Sequence, residues 1–146
     1  MEKLNPYLTF QGNCEEAFNF YRSVFGGEFT YVGRFSDIPS DEGLVIPEHK
    51  MNKIMHIALP LGNDCILMGS DCDEGFCPEV VVGNNVCLSI STASKEKADD
   101  LFEKLCNGGE ITTQIGDVFW GSYYGTCTDR FGVSWMISYT REHNKN

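Results

Sequence analysis

A chain of 146 residues with apolar side chains spread along its whole length is suited to one domain with one hydrophobic core. Its formal net charge of -10 argues against nucleic acid or an anionic membrane surface as a partner, because both require clustered Lys and Arg. No apolar run approaches the ~18 residues of a membrane span, and residues 1–6 lack the apolar stretch of a signal peptide, so we expect a cytoplasmic protein.

The seven cysteines are odd in number, scattered and without any C-x-x-C pair. This pattern predicts neither a disulfide framework nor a zinc ribbon. In a reducing compartment we expect all of them to remain thiols and to pack as small apolar side chains.

A repeat organises the chain. Leu-Thr-Phe at 8–10 precedes a helical pattern that ends at Gly-Gly-Glu, residues 26–28, and Leu-Ser-Ile at 88–90 precedes one that ends at Gly-Gly-Glu, residues 108–110. The offset is 80 residues at the strand and 82 at the glycine pair, which indicates one duplicated unit with two short insertions.

Each copy predicts a strand followed by an amphipathic helix. The apolar stripes of the two helices are Ala17, Phe18, Tyr21 and Phe25 in the first and Ala98, Leu101, Phe102 and Leu105 in the second. Asn13 and Ser94 are the expected N-caps, and the glycine pairs are expected to end both helices.

Further segments rich in β-branched and aromatic residues predict three more strands per copy. They are residues 28–35, 53–61 and 65–69 in the first copy and 110–115, 123–128 and 133–140 in the second. A hairpin turn is expected at 129–132. Residues 36–52 and 71–84 are rich in Asp, Glu, Pro and Gly and predict loops whose acidic side chains face solvent.

These elements predict an α+β fold of two repeated β-α-β-β-β modules, residues 4–71 and 85–140. With its motifs, the chain resembles the vicinal oxygen chelate superfamily of glyoxalases, bleomycin-resistance proteins and dioxygenases, and within it the PhnB-like branch. The segments that carry the resemblance are residues 6–10, 14–17, 20–21, 55–56, 119–121 and 129–135. The resemblance implies a curved mixed sheet with helices outside and a ligand cavity on each concave face or at a dimer boundary. The repeat and the modest size of each module, whose sheet edges need cover, predict a homodimer.

Metal-dependent members of that superfamily place His or Glu at four converging positions. By the resemblance, those positions fall here on Pro6, on Asn85, on Met136, and near Leu67 or Met68. None of these side chains is a good ligand for a divalent cation, so we expect no metal, no other cofactor and no glyoxalase or dioxygenase activity. The branch is often named after a ubiquinone methyltransferase, but the sequence has no glycine-rich strand-to-helix turn for S-adenosylmethionine.

The alternation of the strands predicts an inner surface that is apolar with a few polar groups, as ligand pockets are. It is expected to contain Pro6, Leu8, Phe10, Asn85, Cys87, Ser89, Ser134, Met136 and Ser138, with Trp135, Ile137 and Tyr139 facing the helices. A slip of one residue would exchange the two sets. The candidate ligand-binding residues are Phe10, Met68, Asn85, Trp120, Tyr124 and Met136.

An aromatic cluster of Trp120, Tyr123 and Tyr124 is expected beside Gly121, where it could stack on a planar or cationic ligand. Its alternative role is ordinary strand packing. His56 is the candidate catalytic residue, since imidazole transfers protons near neutral pH; its alternative role is a hydrogen-bonded structural histidine.

Three functions therefore remain open. The first is a metal-independent protein that binds a small molecule, cationic or amphipathic, in an aromatic cavity. The second is an enzyme such as a lyase or isomerase that uses His56 as general base or holds a metal at other residues. The third is a structural or regulatory dimer with a vestigial pocket.

Overall fold

The computed structural model describes residues 2–39, 45–62, 64–72 and 77–140. The chain divides into two compact units, Met1–Val81 and Val82–Asn146.

The first unit contains one helix and one four-stranded sheet. Its elements are β1 (Tyr7–Phe10), α1 (Cys14–Phe25), β2 (Tyr31–Arg34), β3 (Ile54–Gly62) and β4 (Cys65–Asp71). The strand order is β1-β4-β3-β2, with β1 parallel to β4 and the other pairs antiparallel. Among the described residues, the 3-10 helix Phe35–Asp37 begins at the last residue of the predicted strand 28–35, and the 3-10 helix Glu48–Lys50 lies in the predicted loop.

The second unit repeats this arrangement. Its elements are β5 (Leu88–Ser91), α2 (Lys95–Cys106), β6 (Glu110–Asp117), β7 (Ser122–Thr128) and β8 (Ser134–Thr140), in the strand order β5-β8-β7-β6. Again the first and last strands are parallel and the other pairs antiparallel. The predicted α+β fold of two β-α-β-β-β modules is confirmed.

The two helices begin in different ways. Ser94 accepts a hydrogen bond from the Lys97 amide at 3.1 Å, which confirms it as an N-cap. Asn13 makes no such bond. Instead Asp71 at the end of β4 accepts from the Cys14 amide and, through its other oxygen, from the Ile54 amide, both at 2.9 Å. The prediction that the acidic residues from 71 onward face solvent is wrong for Asp71, which is buried because these amides need an acceptor.

The predicted turn at 129–132 is confirmed by a bond from the Gly132 amide to the Asp129 carbonyl. The buried Asp129 carboxylate accepts from the amides of Phe131 and Val133 and from the indole Nε1 of Trp135, at 2.8, 3.0 and 2.8 Å. One carboxylate thus holds the turn and orients the first buried side chain of β8.

The helices pack through the apolar stripes that the sequence predicted, with one difference. In α1 the buried residue near the end is Val24, whereas Phe25 is half-buried. Glycines in the two sheets leave room for aromatic side chains of the helices. A Cβ on Gly69 would lie 2.7 Å from the Phe18 ring, and one on Gly125 would lie 2.8 Å from the Phe102 ring.

The prediction that all cysteines are thiols is wrong for one pair. Cys72 and Cys77 form a disulfide with a Cα–Cα distance of 6.0 Å, which lies in the usual range for such bonds. The spacing of these two cysteines in the sequence did not indicate the bond. Cys14 and Cys127 are buried thiols as expected, and burial raises the pKa of both. No described helix has the length and apolarity needed to cross a membrane.

Candidate functional site

Each sheet has one face against its helix and an opposite face, here called the non-helix face. On β4, Leu67, Gly69 and Asp71 are buried towards α1. Because successive side chains of a strand point to opposite sides, Met68 and Ser70 lie on the non-helix face. The strand pairing then shows which side chains of the neighbouring strands lie on the non-helix face.

The non-helix face of the first sheet brings His56 between two tyrosines. His56 is opposite Gly33 of β2, and Tyr7 is opposite Met68 of β4. The Tyr7 hydroxyl lies 3.2 Å from His56 Nδ1, and the two rings stack with centroids 5.6 Å apart. The Tyr31 ring lies on the same face, 5.5 Å from the imidazole, and folds over Gly33, where a Cβ would collide with it.

The predicted face of β1 is displaced by one residue. Phe10 is 5% exposed, and its ring meets Phe18 of α1 edge to face at 6.2 Å. It therefore belongs to the helix core and does not line the non-helix face, and Leu8 shares its side. Tyr7 stands where Pro6 was expected, while the Pro6 carbonyl accepts from the Met68 amide. Counting back from the helix did not predict which side chains of β1 face α1. The burial of Phe10 against α1 determines it instead.

The predicted faces of β8 are confirmed. Trp135 and Ile137 are buried in the core with α2, which places Ser134, Met136 and Ser138 on the non-helix face.

Met136 lies at the centre of the second non-helix face. Ser89 of β5 and Thr126 of β7 lie opposite it in the ladder on either side. Tyr124 is paired with Ser138 and shares this face.

The predicted aromatic cluster is correct for two of its three members. Trp120 stacks on Tyr124 with centroids 6.0 Å apart and 28° between the planes, and Phe119 meets Trp120 edge to face at 4.8 Å. Tyr123 lies on the other side of β7. Its hydroxyl donates to the Asp99 carboxylate of α2, a bond that raises the pKa of Tyr123 to about 12. Neighbouring residues of one strand cannot share a face, so Tyr123 is excluded from the cluster.

The candidate ligand-binding residues are therefore distributed as follows. Trp120, Tyr124 and Met136 share the second non-helix face, while Met68 shares the first with His56. Asn85 is exposed and precedes β5.

Sequence reasoning placed Ser89, Ser134 and Ser138 on this face but missed the hydroxyl groups of β6, of β7 and of Thr140. Thr126 Oγ1 lies 2.7 Å from Thr112 Oγ1, and Ser122 Oγ lies 3.2 Å from Thr140 Oγ1. The signal was present as hydroxyl residues at alternate positions of two adjacent strands, namely Ser122, Tyr124, Thr126 and Thr128 with Ser134, Ser138 and Thr140.

Two cavities lie elsewhere. One of about 790 Å3 lies between α2 and β6 and is lined by carboxylates of Asp99, Asp100 and Glu103. Another of about 330 Å3 lies at the start of α1 and is lined by Lys50 and Lys53, among others. Among residues 2–39, 45–62, 64–72 and 77–140, no three His, Cys, Asp or Glu side chains are grouped to hold a metal ion.

A family model described as 3-demethylubiquinone-9 3-methyltransferase matches residues 2–138. The chain belongs to this family. It is 26% identical to protein YjdN of Escherichia coli, over 95% of this chain and 96% of that protein. The solved structure of protein PA1353 of Pseudomonas aeruginosa is 34% identical, with a TM-score of 0.83, 97% of this chain covered and 100% of that one.

The solved structure of a protein of Bacillus cereus, described as a putative 3-demethylubiquinone-9 3-methyltransferase and PhnB protein, is 25% identical with a TM-score of 0.75. That match covers 95% of this chain and 100% of the other. A glyoxalase, bleomycin resistance and dioxygenase family enzyme of Burkholderia phytofirmans shares the fold at 13% identity and a TM-score of 0.60, over 94% and 97% of the two chains. The predicted PhnB-like membership is confirmed, and the likeness to the Burkholderia enzyme shows that the fold is shared with it.

The description of the 3-demethylubiquinone-9 3-methyltransferase family names a methyl transfer, for which S-adenosylmethionine is the usual donor. Nucleotide-like cofactors bind where a glycine-rich turn joins a strand to the start of a helix at the edge of a parallel sheet. The turns before α1 and α2, residues 11–13 and 92–94, contain one glycine between them. Each sheet has a single parallel pair, and Asp71 already occupies the start of α1. The described residues do not fit that cofactor.

Proposed function

We propose that the protein binds a small planar molecule on the non-helix face of the second sheet, without a metal ion. The observation that carries this proposal is the Trp120–Tyr124 stack. Trp120 is 58% exposed, so its ring offers an apolar surface to a ligand. An exposed aromatic pair above a strand is a ready stacking platform, and each stacked ring contributes about 0.5–1.5 kcal/mol beyond its buried area.

The neighbouring side chains favour binding over chemistry. Met136 supplies a flexible apolar floor in the next strand, and thioethers pack well against aromatic rings. Hydroxyls of Thr126 and Ser138 flank it and can orient a ligand by hydrogen bonds.

Tryptophan fluorescence tests the proposal directly, because the chain has two tryptophans of opposite exposure. Trp120 is 58% exposed and Trp135 is 1% exposed. We expect saturable quenching by at least one member of a panel of nitrophenyl compounds, and its loss in Trp120→Phe, which retains only the buried fluorophore.

Adjacent tyrosines supply the matched control. Tyr124→Ala should weaken binding, whereas Tyr123→Phe, on the opposite side of β7, should leave it unchanged. Quenching that is not saturable for any compound, or that is equal in both variants, would refute the proposal.

A second candidate function is proton transfer by His56, favoured by the 3.2 Å contact between Tyr7 Oη and His56 Nδ1. If the phenol donates, the imidazole carries its hydrogen on Nε2 and can donate a hydrogen bond to a substrate oxygen. If Nδ1 donates, Nε2 accepts a proton and serves as base. We expect hydrogen–deuterium exchange next to the carbonyl of a small ketone, lost in His56→Gln and altered in Tyr7→Phe. Exchange at the rate of buffer alone contradicts this candidate.

We also propose a homodimer. The strands β2 and β6 are sheet edges, and β6 presents exposed residues that include Ile111 at 46%. Edge strands of this kind are usually covered by pairing or by another chain. Light scattering at micromolar concentration should give twice the chain mass of 16.4 kDa, and a mass of one chain contradicts the proposal.

A further inference from the structure

We infer that the molecule bound on the second non-helix face is electrically neutral, with a planar ring joined to a part rich in hydroxyl or amide groups, as in an aryl glycoside. This inference rests on the proposed function and names its ligand class. It differs from the cationic ligand that the acidic sequence suggested.

Hydroxyl groups dominate the polar chemistry of this face. Thr126 and Ser89 lie opposite Met136 in the ladder, and Ser138 lies opposite Tyr124. A hydroxyl both donates and accepts hydrogen bonds, so a surface of hydroxyls can match hydroxyl or amide groups in either role. Such a surface cannot neutralise a charge.

Among the residues that the structure describes, formal charge enters this face only at one corner. Glu110 of the edge strand β6 lies opposite Thr128, at the far end of β7 from Tyr124. The central positions of β7 and β8, Thr126 and Met136, are uncharged. A charged ligand would lose hydration on this surface without gaining an opposite charge, which is strongly unfavourable.

The acidic side chains that give the second unit its negative character lie on the helix side. Asp99, Asp100 and Glu103 line the cavity of about 790 Å3 between α2 and β6, where Lys104 pairs with Asp100 and leaves the lining with a net negative charge. Tyr123 directs its hydroxyl to the same side by donating to Asp99. An organic cation would therefore be attracted to the helix side of the sheet and away from Trp120.

The face also sets the length and polarity of the ligand. The Trp120–Tyr124 stack lies at one end of β7, and Thr128 ends the strand four residues later. At about 3.3 Å per residue, this distance is about 13 Å. A ring stacked on Trp120 with a polar group reaching over Thr126 covers about half of this distance, which leaves room for one sugar linked to the ring.

The test compares three probes that share a nitrophenyl ring and differ in charge. They are para-nitrophenyl β-glucoside, which is neutral, para-nitrophenyl β-glucuronide, which is an anion, and para-nitrobenzyl trimethylammonium, which is a cation. Binding is followed by quenching of Trp120. We expect the neutral probe to bind at least tenfold more tightly than the anion or the cation at this face.

Variants separate the hydroxyls from the aromatic platform. Thr126→Val keeps the shape of the side chain and removes its hydroxyl, and Ser138→Ala does the same at the next pair. Loss of one such hydrogen bond of about 1 kcal/mol weakens the neutral probe about fivefold. Tyr123→Phe removes a hydroxyl from the other side of β7 and should not change binding of the neutral probe.

The outcomes are distinct. If the cation binds as tightly as the neutral probe and is lost in Tyr124→Ala, the inference is wrong while the proposed function stands. If the cation binds only in a way that Asp99→Asn removes and Tyr124→Ala does not, the inference is supported. If none of the probes quenches Trp120 while another planar compound does, the inference fails alone. If no planar compound does, the proposed function fails with it.

Discussion

The two sheets have the same strand order and the same parallel and antiparallel pairs, yet their non-helix faces differ in chemistry. The first presents His56 between Tyr7 and Tyr31. The second presents hydroxyls around Met136 with a stacked aromatic pair at one end. The two repeated units therefore share their fold but not the chemistry of their non-helix faces.

Packing between helix and sheet explains why the two units keep the same fold. In each unit an aromatic ring of the helix packs where the sheet has a glycine, Phe18 on Gly69 and Phe102 on Gly125. A side chain at either glycine would collide, so the helix side tolerates little change. The opposite side lies away from the helix of its unit, so its residues can differ without disturbing the helix packing.

The largest expected effect is on the free energy of unfolding, when the buried carboxylate that accepts hydrogen bonds in each unit is removed. Asp129→Ala leaves the amides of Phe131 and Val133 and the Trp135 indole without this acceptor, and should lower the free energy of unfolding by about 3–5 kcal/mol. Asp71→Ala removes two such bonds and should have a smaller effect. Urea unfolding measures both, with the exposed Asp100→Ala as control. A decrease in the free energy of unfolding below about 1 kcal/mol in both variants would mean that these carboxylates do not stabilise the two units.

The glycines come next. Gly69→Ala and Gly125→Ala should each cost about 1–3 kcal/mol, because the new methyl group overpacks the contact with the helix aromatic. Gly116→Ala in β6 is the matched control, since a Cβ there meets nothing within 4 Å. Thermal unfolding of the three variants makes the comparison. Equal melting points for all three would disprove tight packing on the helix side.

Ligand affinity distinguishes the two non-helix faces. Trp120→Ala should weaken para-nitrophenyl β-glucoside about tenfold through loss of stacking. Tyr7→Ala, on the first sheet, should leave its affinity unchanged, as measured by calorimetry. An equal loss in both variants would mean that the first face contributes to the same site.

The smallest effect concerns the ion pairs between helix and edge strand. Glu15 of α1 pairs with Arg34 of β2, and Lys95 of α2 pairs with Asp117 of β6. The hydrogen bond from Arg34 lowers the pKa of Glu15 below its ordinary value of 4.5. Its stabilisation is thus fully present above pH 4.5 and is lost as the pH falls through the lower value.

Glu15 is partly exposed, so the pair is worth about 0.2–1 kcal/mol. Glu15→Gln should reduce the loss of stability between neutral pH and pH 3 by that amount in urea titrations. An unchanged pH dependence would show that this pair does not contribute.

The helices, strands and turns of each unit were predicted well, because each of them depends on a local sequence pattern. Apolar stripes in the helices, the Ser94 cap and the turn at 129–132 all depend on neighbours in sequence. The Asp71 cap depends on where β4 ends against α1, and the Cys72–Cys77 disulfide on the distance between two residues of the folded chain, and no local sequence pattern specifies either.

The faces were predicted correctly for β8 and incorrectly for β1. Trp135 and Ile137 mark the buried side of β8 clearly. In β1 the large residues Tyr7, Leu8 and Phe10 lie on both sides of the strand, so only the contact of Phe10 with Phe18 decides its register. The serines of β5 and β8 were assigned to the second face, whereas the hydroxyls of β7 were missed because their alternation is recognised only once β7 is paired with β8.

Methyl NMR of methionine tests the central claim that the second non-helix face binds the ligand and the first does not. Met136 and Met68 occupy the centres of the two faces and give separate methyl signals. On titration with para-nitrophenyl β-glucoside, the account predicts a saturable shift of the Met136 methyl, no shift of Met68, and loss of the shift in Tyr124→Ala. A shift confined to Met68, or a Met136 shift that persists in Tyr124→Ala, would contradict it.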